Sequence, residues 1–185
     1  NGSVEHVSRA KTALGQRFDT DVLPLLLKPR GVQLVELIKG DYSSSYNAKY
    51  FELLKSPDTL PLIEVLGDTF RNAYLEDYIF FLSNNGSVEQ VTKARALLGT
   101  KLHAKTLSLL LQPKGLDFLE AVKEDYSDTY TESYAQLLKL PNAIELTKAL
   151  GSSFRSFKIN DYITFLNSNG SVEHVSRAKT ALGQR

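Results

Sequence analysis

Apolar residues return along this chain on a fixed beat. Seven marks, Asn1, Pro29, Pro57, Asn85, Pro113, Pro141 and Asn169, recur at every twenty-eighth place. Three places after the marks lies one apolar column: Val32, Leu60, Val88, Leu116, Ile144 and Val172. The next holds Val35, Ile63, Val91 and Leu119, broken at Thr147, and the one after it Ile38, Leu66, Ala94, Val122, Leu150 and Ala178. A fourth holds Tyr42, Phe70, Leu98, Tyr126, Phe154 and Leu182. Steps of three, three and four trace the one-sided stripe of an amphipathic helix about three turns long.

A second stripe precedes each mark. It carries Tyr46, Tyr74, Leu102 and Tyr130, then Tyr50, Tyr78, Tyr134 and Tyr162, and ends on Leu26, Leu54, Leu82, Leu110, Leu138 and Leu166. Spacing of four predicts a second helix, which the mark terminates. Proline cannot continue a helix and disfavours helical geometry in the residue before it. At the Asn-Gly-Ser marks, glycine is expected to supply the turn and serine to cap the next helix, with Ser87 and Gln90 placed as a capping box. Gly15, Gly99 and Gly183 stand where that helix should end, and Gly31, Gly67 and Gly151 read as turn and helix-end residues.

Three units make a block. Residues 1–84 laid over 85–168 without gaps agree at 36 of 84 positions, and residues 169–185 repeat residues 1–17 letter for letter. The organisation is therefore a first block, 1–84, a second, 85–168, and the start of a third, 169–185. Copies one block apart match at nine of their first seventeen positions, whereas copies two blocks apart match at all seventeen. A superunit of two blocks, copied within a much larger parent, accounts for this most simply; deliberate splicing of modules is the rival account. The two short helices of one unit cannot bury a core alone, so units must stack. The expected fold is all-α: a right-handed αα-solenoid of about six 28-residue two-helix repeats. No polar capping unit is recognisable at either end, which reads as a window on a longer array or as one that continues end to end.

Composition narrows the chemistry. Apolar residues make up 42%, a globular value, and 22 Lys and Arg against 21 Asp and Glu leave no global field to draw in nucleic acid or anionic lipid. Without cysteine there are no disulfides, thiolate metal sites or cysteine nucleophiles. The longest apolar runs fall far short of the roughly 20 residues a membrane helix needs.

Catalytic patterns are missing. His6, His103 and His174 lack a second ligand at metal spacing, and no nucleophile elbow or phosphate-cradling glycine run is present. Asp125, Asp128 and Glu132 lack the glycine and the twelfth-position glutamate of a calcium loop and read as a polar inter-helix turn. The nine tyrosines fall mostly in columns that hold Leu or Phe elsewhere, which is core behaviour. No cofactor and no enzymatic activity are expected.

Two surface features stand out. Ten places after the marks lie Lys11, Lys39, Arg95, Lys123 and Lys179, with Gly67 and Gly151 between, a basic stripe able to track a phosphate backbone. Against that, Glu36, Glu64 and Glu120 sit three places earlier, and Glu89 with Lys93 and Glu173 with Arg177 are the i,i+4 pairs of a solvated helix face. Asn1, Asn85 and Asn169 each open an N-glycosylation sequon on the same loop, which in a secreted protein would carry a glycan every third unit.

Phe157 to Ser171, FKINDYITFLNSNGS, resembles the helix, Asn-Gly loop and helix of transcription-activator-like effector repeats, and Leu53 to Gly67, LLKSPDTLPLIEVLG, is similar to the repeats of mitochondrial transcription termination factors. Both resemblances imply a helical repeat fold and, as ligand, nucleic acid. The residues themselves favour a structural or protein-interaction segment of a tandem array, a rod, surface protein or fibre, whose partners are neighbouring repeats, copies end to end or an unidentified protein. A nucleic-acid-binding solenoid is the alternative. The lack of Cys, Met and Trp suits an oxidant-exposed, extracellular or cell-surface setting over a cytoplasmic one.

Overall fold

The computed structural model describes residues 3–182, and among these every regular element is helical. In chain order the α-helices are α1 (Val4–Leu14), α2 (Leu23–Leu26), α3 (Gly31–Ile38), α4 (Asn47–Leu53), α5 (Thr59–Leu66), α6 (Leu75–Ser83) and α7 (Val88–Leu98). They continue as α8 (Leu107–Leu110), α9 (Gly115–Val122), α10 (Thr131–Leu138), α11 (Ala143–Leu150), α12 (Ile159–Asn167) and α13 (Val172–Leu182). Odd-numbered helices follow the marks and even-numbered ones precede them, as the two stripes predict. No helix is long and apolar enough to cross a membrane, among the described residues.

The chain forms two compact units, residues 1–91 and 92–185, divided inside α7. In the first, α1 packs on α3 and α3 on α5, while α2 packs on α4 and α4 on α6. Cross-contacts from α2 to α1 and α3 tie the two rows together. The second unit has the same plan: α9, α11 and α13 in one row, α8, α10 and α12 in the other, joined where α8 meets α9 and α10 meets α11. Within each of these rows a helix thus finds its partner in the equivalent helix one period along the chain. A helix of eight residues is below the length that holds itself together in water, so this packing supplies most of its stability.

The fourth apolar column departs from its expected helical setting. After the proline marks the helix closes at Ile38, Leu66, Val122 or Leu150, and Tyr42, Phe70, Tyr126 and Phe154 lie beyond it, yet all four are buried. The backbone tightens into a turn first. Gly67 and Gly151 take φ near +50°, a 3-10 turn follows, and Phe70 and Phe154 are extended. A helix would carry the ring round its cylinder, whereas the turn drops it back onto the following helix. In the Asn-marked units the helix runs eleven residues and includes Leu14 and Leu98, with Gly15 and Gly99 at positive φ just past the end. Gly183 lies outside the described residues. Tyr46, Tyr74 and Tyr130 likewise close 3-10 turns ahead of α4, α6 and α10 rather than opening those helices, and Leu102 is extended.

Entry to the helices uses a second device. At the Asn-Gly marks it is asparagine that takes the left-handed conformation, Asn85 at φ 58° and Asn169 at φ 60°. The glycine is needed for closeness: a Cβ on Gly86 or Gly170 would strike the ring of Phe81 or Phe165. Ser3 and Ser171 accept the amides of His6 and His174 and so cap α1 and α13. After Pro29, Pro113 and Pro141 the left-handed residue is Arg30, Lys114 or Asn142. Gly31 and Gly115 then start α3 and α9, not end a helix, pressed on the carbonyls of Leu25 and Leu109, where any Cβ would overlap the backbone.

Gly31→Ala or Gly115→Ala must push α3 or α9 away from the helix before it. Either is expected to destabilise the chain by roughly 2–4 kcal/mol, in the range of severe overpacking. Urea titration followed by circular dichroism measures this, with Gly40→Ala, at a site with open space around its Cβ, as the mild comparison.

Candidate functional site: the contacts between neighbouring repeats

Polar side chains concentrate where one repeat meets the next. In the first unit the hydroxyl of Tyr50, fully buried, accepts from the Ser43 amide at 3.3 Å and donates to Asn72 Oδ1 at 2.8 Å. Asn72 in turn gives its backbone N–H to the Asp41 carboxylate and its side-chain amide to the Asp41 carbonyl. One block later, Tyr134 accepts from Ser127 at 3.3 Å and donates to Ser156, whose N–H and hydroxyl go to the carboxylate and carbonyl of Asp125. Aspartate and tyrosine are kept while the third partner changes from Asn to Ser, since both supply the donor that Asp requires and an acceptor for the tyrosine. The DYS stretches at residues 41–43 and 125–127 are thus inter-helix turns whose aspartates fasten the following repeat. No group of acidic or histidine side chains among the described residues is placed to hold a metal ion.

Aromatic rings fill the same seam. Tyr42 stacks on Tyr50 at 5.8 Å between centroids, Phe70 on Tyr78 at 5.0 Å and Tyr126 on Tyr134 at 5.5 Å, and Phe154 meets Tyr162 at 5.2 Å with tilted planes. Such offset pairs contribute about 0.5–1.5 kcal/mol beyond the area they bury. Burial disfavours the phenolate, so the Tyr42 and Tyr78 hydroxyls are pushed up to about 12, and those of Tyr50, Tyr126 and Tyr134 are also raised by burial.

Cations close the carbonyl ends. Arg17 donates to Gly40 O at 2.8 Å, and Lys101, its counterpart in the second block, to the carbonyls of Lys123 and Glu124 at 3.3 and 3.1 Å. Arg30 spreads its guanidinium over the carbonyls of Leu54, Ser56 and Pro57 at 2.8–3.0 Å. Arg9 makes a two-pronged pair with Glu36, 2.8 and 2.7 Å, joining α1 to α3 and holding the Glu36 carboxyl below its usual range.

The basic stripe lies at helix ends. Lys11, Arg95 and Lys179 fall in the last turns of α1, α7 and α13, and Lys39 and Lys123 follow the final residues of α3 and α9. There the backbone dipole favours positive charge, which explains a basic residue in this column with no ligand. Lys179 donates to the carbonyls of Ala149 and Leu150 at 2.9 and 3.2 Å, at the end of α11, and Arg95 also has a partner. Lys11, Lys39 and Lys123 are exposed. Of the sequon asparagines, Asn85 and Asn169 are exposed at their turns, and Asn1 lies outside the described residues. Sequence reasoning missed the Asp–Asn, Asp–Ser and Arg–carbonyl contacts, although Asp41 and Asp125 in one column, and Arg30 and Lys114 in another, were signals of them.

No known protein family, curated protein or solved structure matches the chain.

Tyr50→Phe strands the Asn72 acceptor and the Ser43 amide in a buried seam and is expected to cost about 1–3 kcal/mol in chemical denaturation, with Tyr46→Phe, at a half-buried ring, near zero. The raised tyrosines also set a pH dependence. The unfolded chain releases these protons near pH 10 and the folded chain only near 12, so the unfolded state binds fewer protons between those values. Stability is expected to be complete below pH 10 and to fall as pH rises towards 12. Ultraviolet titration should resolve an early phenolate class and a late one that coincides with loss of helix; a single class titrating near 10 would be the contrary result.

Proposed function

We propose that the chain is a segment of a helical repeat array, a right-handed αα-solenoid of six 28-residue repeats in two 84-residue blocks, with residues 169–185 opening a third. Its work is structural or that of a protein-interaction segment, as a rod, surface protein or fibre, and not catalytic. The observation that carries this reading is the destination of the polar groups. Asp41, Asn72, Tyr50, Arg17, Arg30, Lys101 and Lys179 all turn onto a neighbouring repeat, at sequence separations of 22–31 residues. Reactive-looking side chains are consumed in fastening repeats, as a periodic scaffold requires. The resemblance to two helical repeat families supports the same architecture, and an extracellular or surface setting, with glycans at Asn85 and Asn169, is compatible with the exposure of those turns.

A second reading, a nucleic-acid-binding solenoid, draws on the exposure of Lys11, Lys39 and Lys123 at helix ends. The near-neutral charge and the internal use of Lys179 count against it.

Small-angle X-ray scattering tests the architecture. A rod is expected to give a radius of gyration well above the roughly 16 Å of a compact globule of this length, and a value near 16 Å would contradict the solenoid. Binding of single- and double-stranded oligonucleotides, at low and at high salt, separates the two functions. The structural reading expects none at low salt, whereas salt-sensitive binding abolished by charge reversal at Lys11, Lys39 and Lys123 would favour the alternative.

A further inference from the structure

At the seam between the first two repeats, polar groups line an open space instead of being closed on one another. A cleft of about 350 Å³ lies there, with Arg17, Phe18 and Asp19 on one side and Tyr42, Ser43 and Ser44 on the other. That volume is within the range of small-molecule sites, about 300–1,000 Å³. One oxygen of the Asp19 carboxylate accepts the Asp21 amide at 2.9 Å, while the other stands 3.5 Å from the Ser44 hydroxyl, at the limit of a hydrogen bond. Acceptor capacity is left over. Arg17 is held at the rim by one N–H on the Gly40 carbonyl, and a guanidinium has further N–H groups to donate. Phe18 is half-buried, as are Tyr46 and Tyr130 in the same column, each of which has a repeat on either side. Part of an aromatic ring therefore meets the cleft.

The second block shows the same place differently furnished. Its columns hold Leu102, 2% exposed, in place of Phe18, and His103 and Asp128 in place of Asp19 and Ser44. There the imidazole Nδ1 and the carboxylate approach to 3.6 Å across the seam, so the two polar groups answer each other. In the first block, Asp19 faces a serine. The local field also narrows the guest. The Tyr42 hydroxyl is pushed up to about 12, first by burial and then by the charge of Asp19, with Asp21 adding to it. Two carboxylates against one guanidinium repel an anion.

We propose that this cleft binds a neutral sugar, a pyranose with one face on the Phe18 ring and two adjacent hydroxyls donating to the Asp19 carboxylate. The apolar C–H face of such a ring suits the negative face of an aromatic, and a carboxylate accepts two donors side by side. Arg17 and the Ser43 and Ser44 hydroxyls serve the remaining oxygens. A binding function of this kind goes beyond the scaffold role and does not depend on it.

Titration of the full chain with the methyl glycosides of glucose, mannose and galactose, followed by amide chemical shifts, tests the proposal. At least one of them is expected to move the signals of residues 17–19 and 42–44 at millimolar concentration. Asp19→Asn is expected to weaken this binding by about tenfold or more. Asp19→His combined with Ser44→Asp installs the pair of the second block and is expected to abolish it with helicity unchanged. Trisaccharides of the same sugars distinguish the sources: tighter binding than the methyl glycoside assigns a glycan chain, equal binding a free sugar, and either supports the site. Overturning results are silence with all three glycosides, affinity unchanged in Asp19→Asn or kept in the double variant, or inorganic phosphate moving the same signals more strongly than any glycoside. None of these would bear on the rod, which scattering tests separately.

Discussion

A helix of eight residues leaves its apolar side wet and half its carbonyls without partners, and this chain remedies both shortages with the same neighbour. The equivalent helix one period away covers the apolar stripe, as α3 covers α1, and side chains from adjacent repeats reach the carbonyls at the helix ends or in the turns just beyond them, as Lys179 reaches Ala149 and Leu150 of α11 and Arg17 reaches Gly40 after α3. Apolar burial supplies the bulk of the stabilisation without direction. The hydrogen bonds add geometry, because each fixes one repeat against a particular atom of the next. Register follows from the second set, stability mainly from the first.

This division explains which substitutions the two blocks tolerate. The aromatic pair Tyr42 and Tyr50 becomes Tyr126 and Tyr134 unchanged, and where the partner that closes the hydrogen-bond chain differs, Asn72 against Ser156, the replacement still donates to an Asp carbonyl and still accepts from a tyrosine. In the Asn-marked units the same two columns hold Leu14 and Val22, or Leu98 and Thr106. Thr106 keeps a hydroxyl in the seam and meets the Tyr126 hydroxyl at 2.7 Å. Charge at the seam is graded in the same way. The exposed pair of Lys49 with Glu76 adds little, as surface ion pairs do, whereas Arg9 with Glu36 is two-pronged and half-buried.

The helices and their two faces were legible in the columns because burial on a helix leaves a periodic trace, and the marks stood out because proline and Asn-Gly interrupt a helix for local reasons. The fourth column misled on local structure for a physical reason: an aromatic residue four places on is buried whether the backbone continues as a helix or turns sharply back, and burial alone does not separate the two. At the Asn-Gly marks the letters point to glycine as the source of the turn, whereas Asn85 carries the positive φ and Gly86 makes room for Phe81. The seam contacts were harder still. A bond such as Asp41 to Asn72 joins two columns more than a full period apart, and neither column alone shows that one is donor and the other acceptor. The basic column was visible, but a helix C-terminus and a phosphate backbone attract the same residue types, so the pattern did not distinguish between them.

Mutual burial of this kind requires that a single repeat has no stable fold without its neighbours. The direct measurement is circular dichroism of the isolated peptide 29–56, followed through heating and urea beside the full chain. Dependence on neighbours predicts a peptide of low helicity that changes gradually, while the full chain unfolds cooperatively. A peptide that is strongly helical and melts in a sharp transition of its own would contradict it.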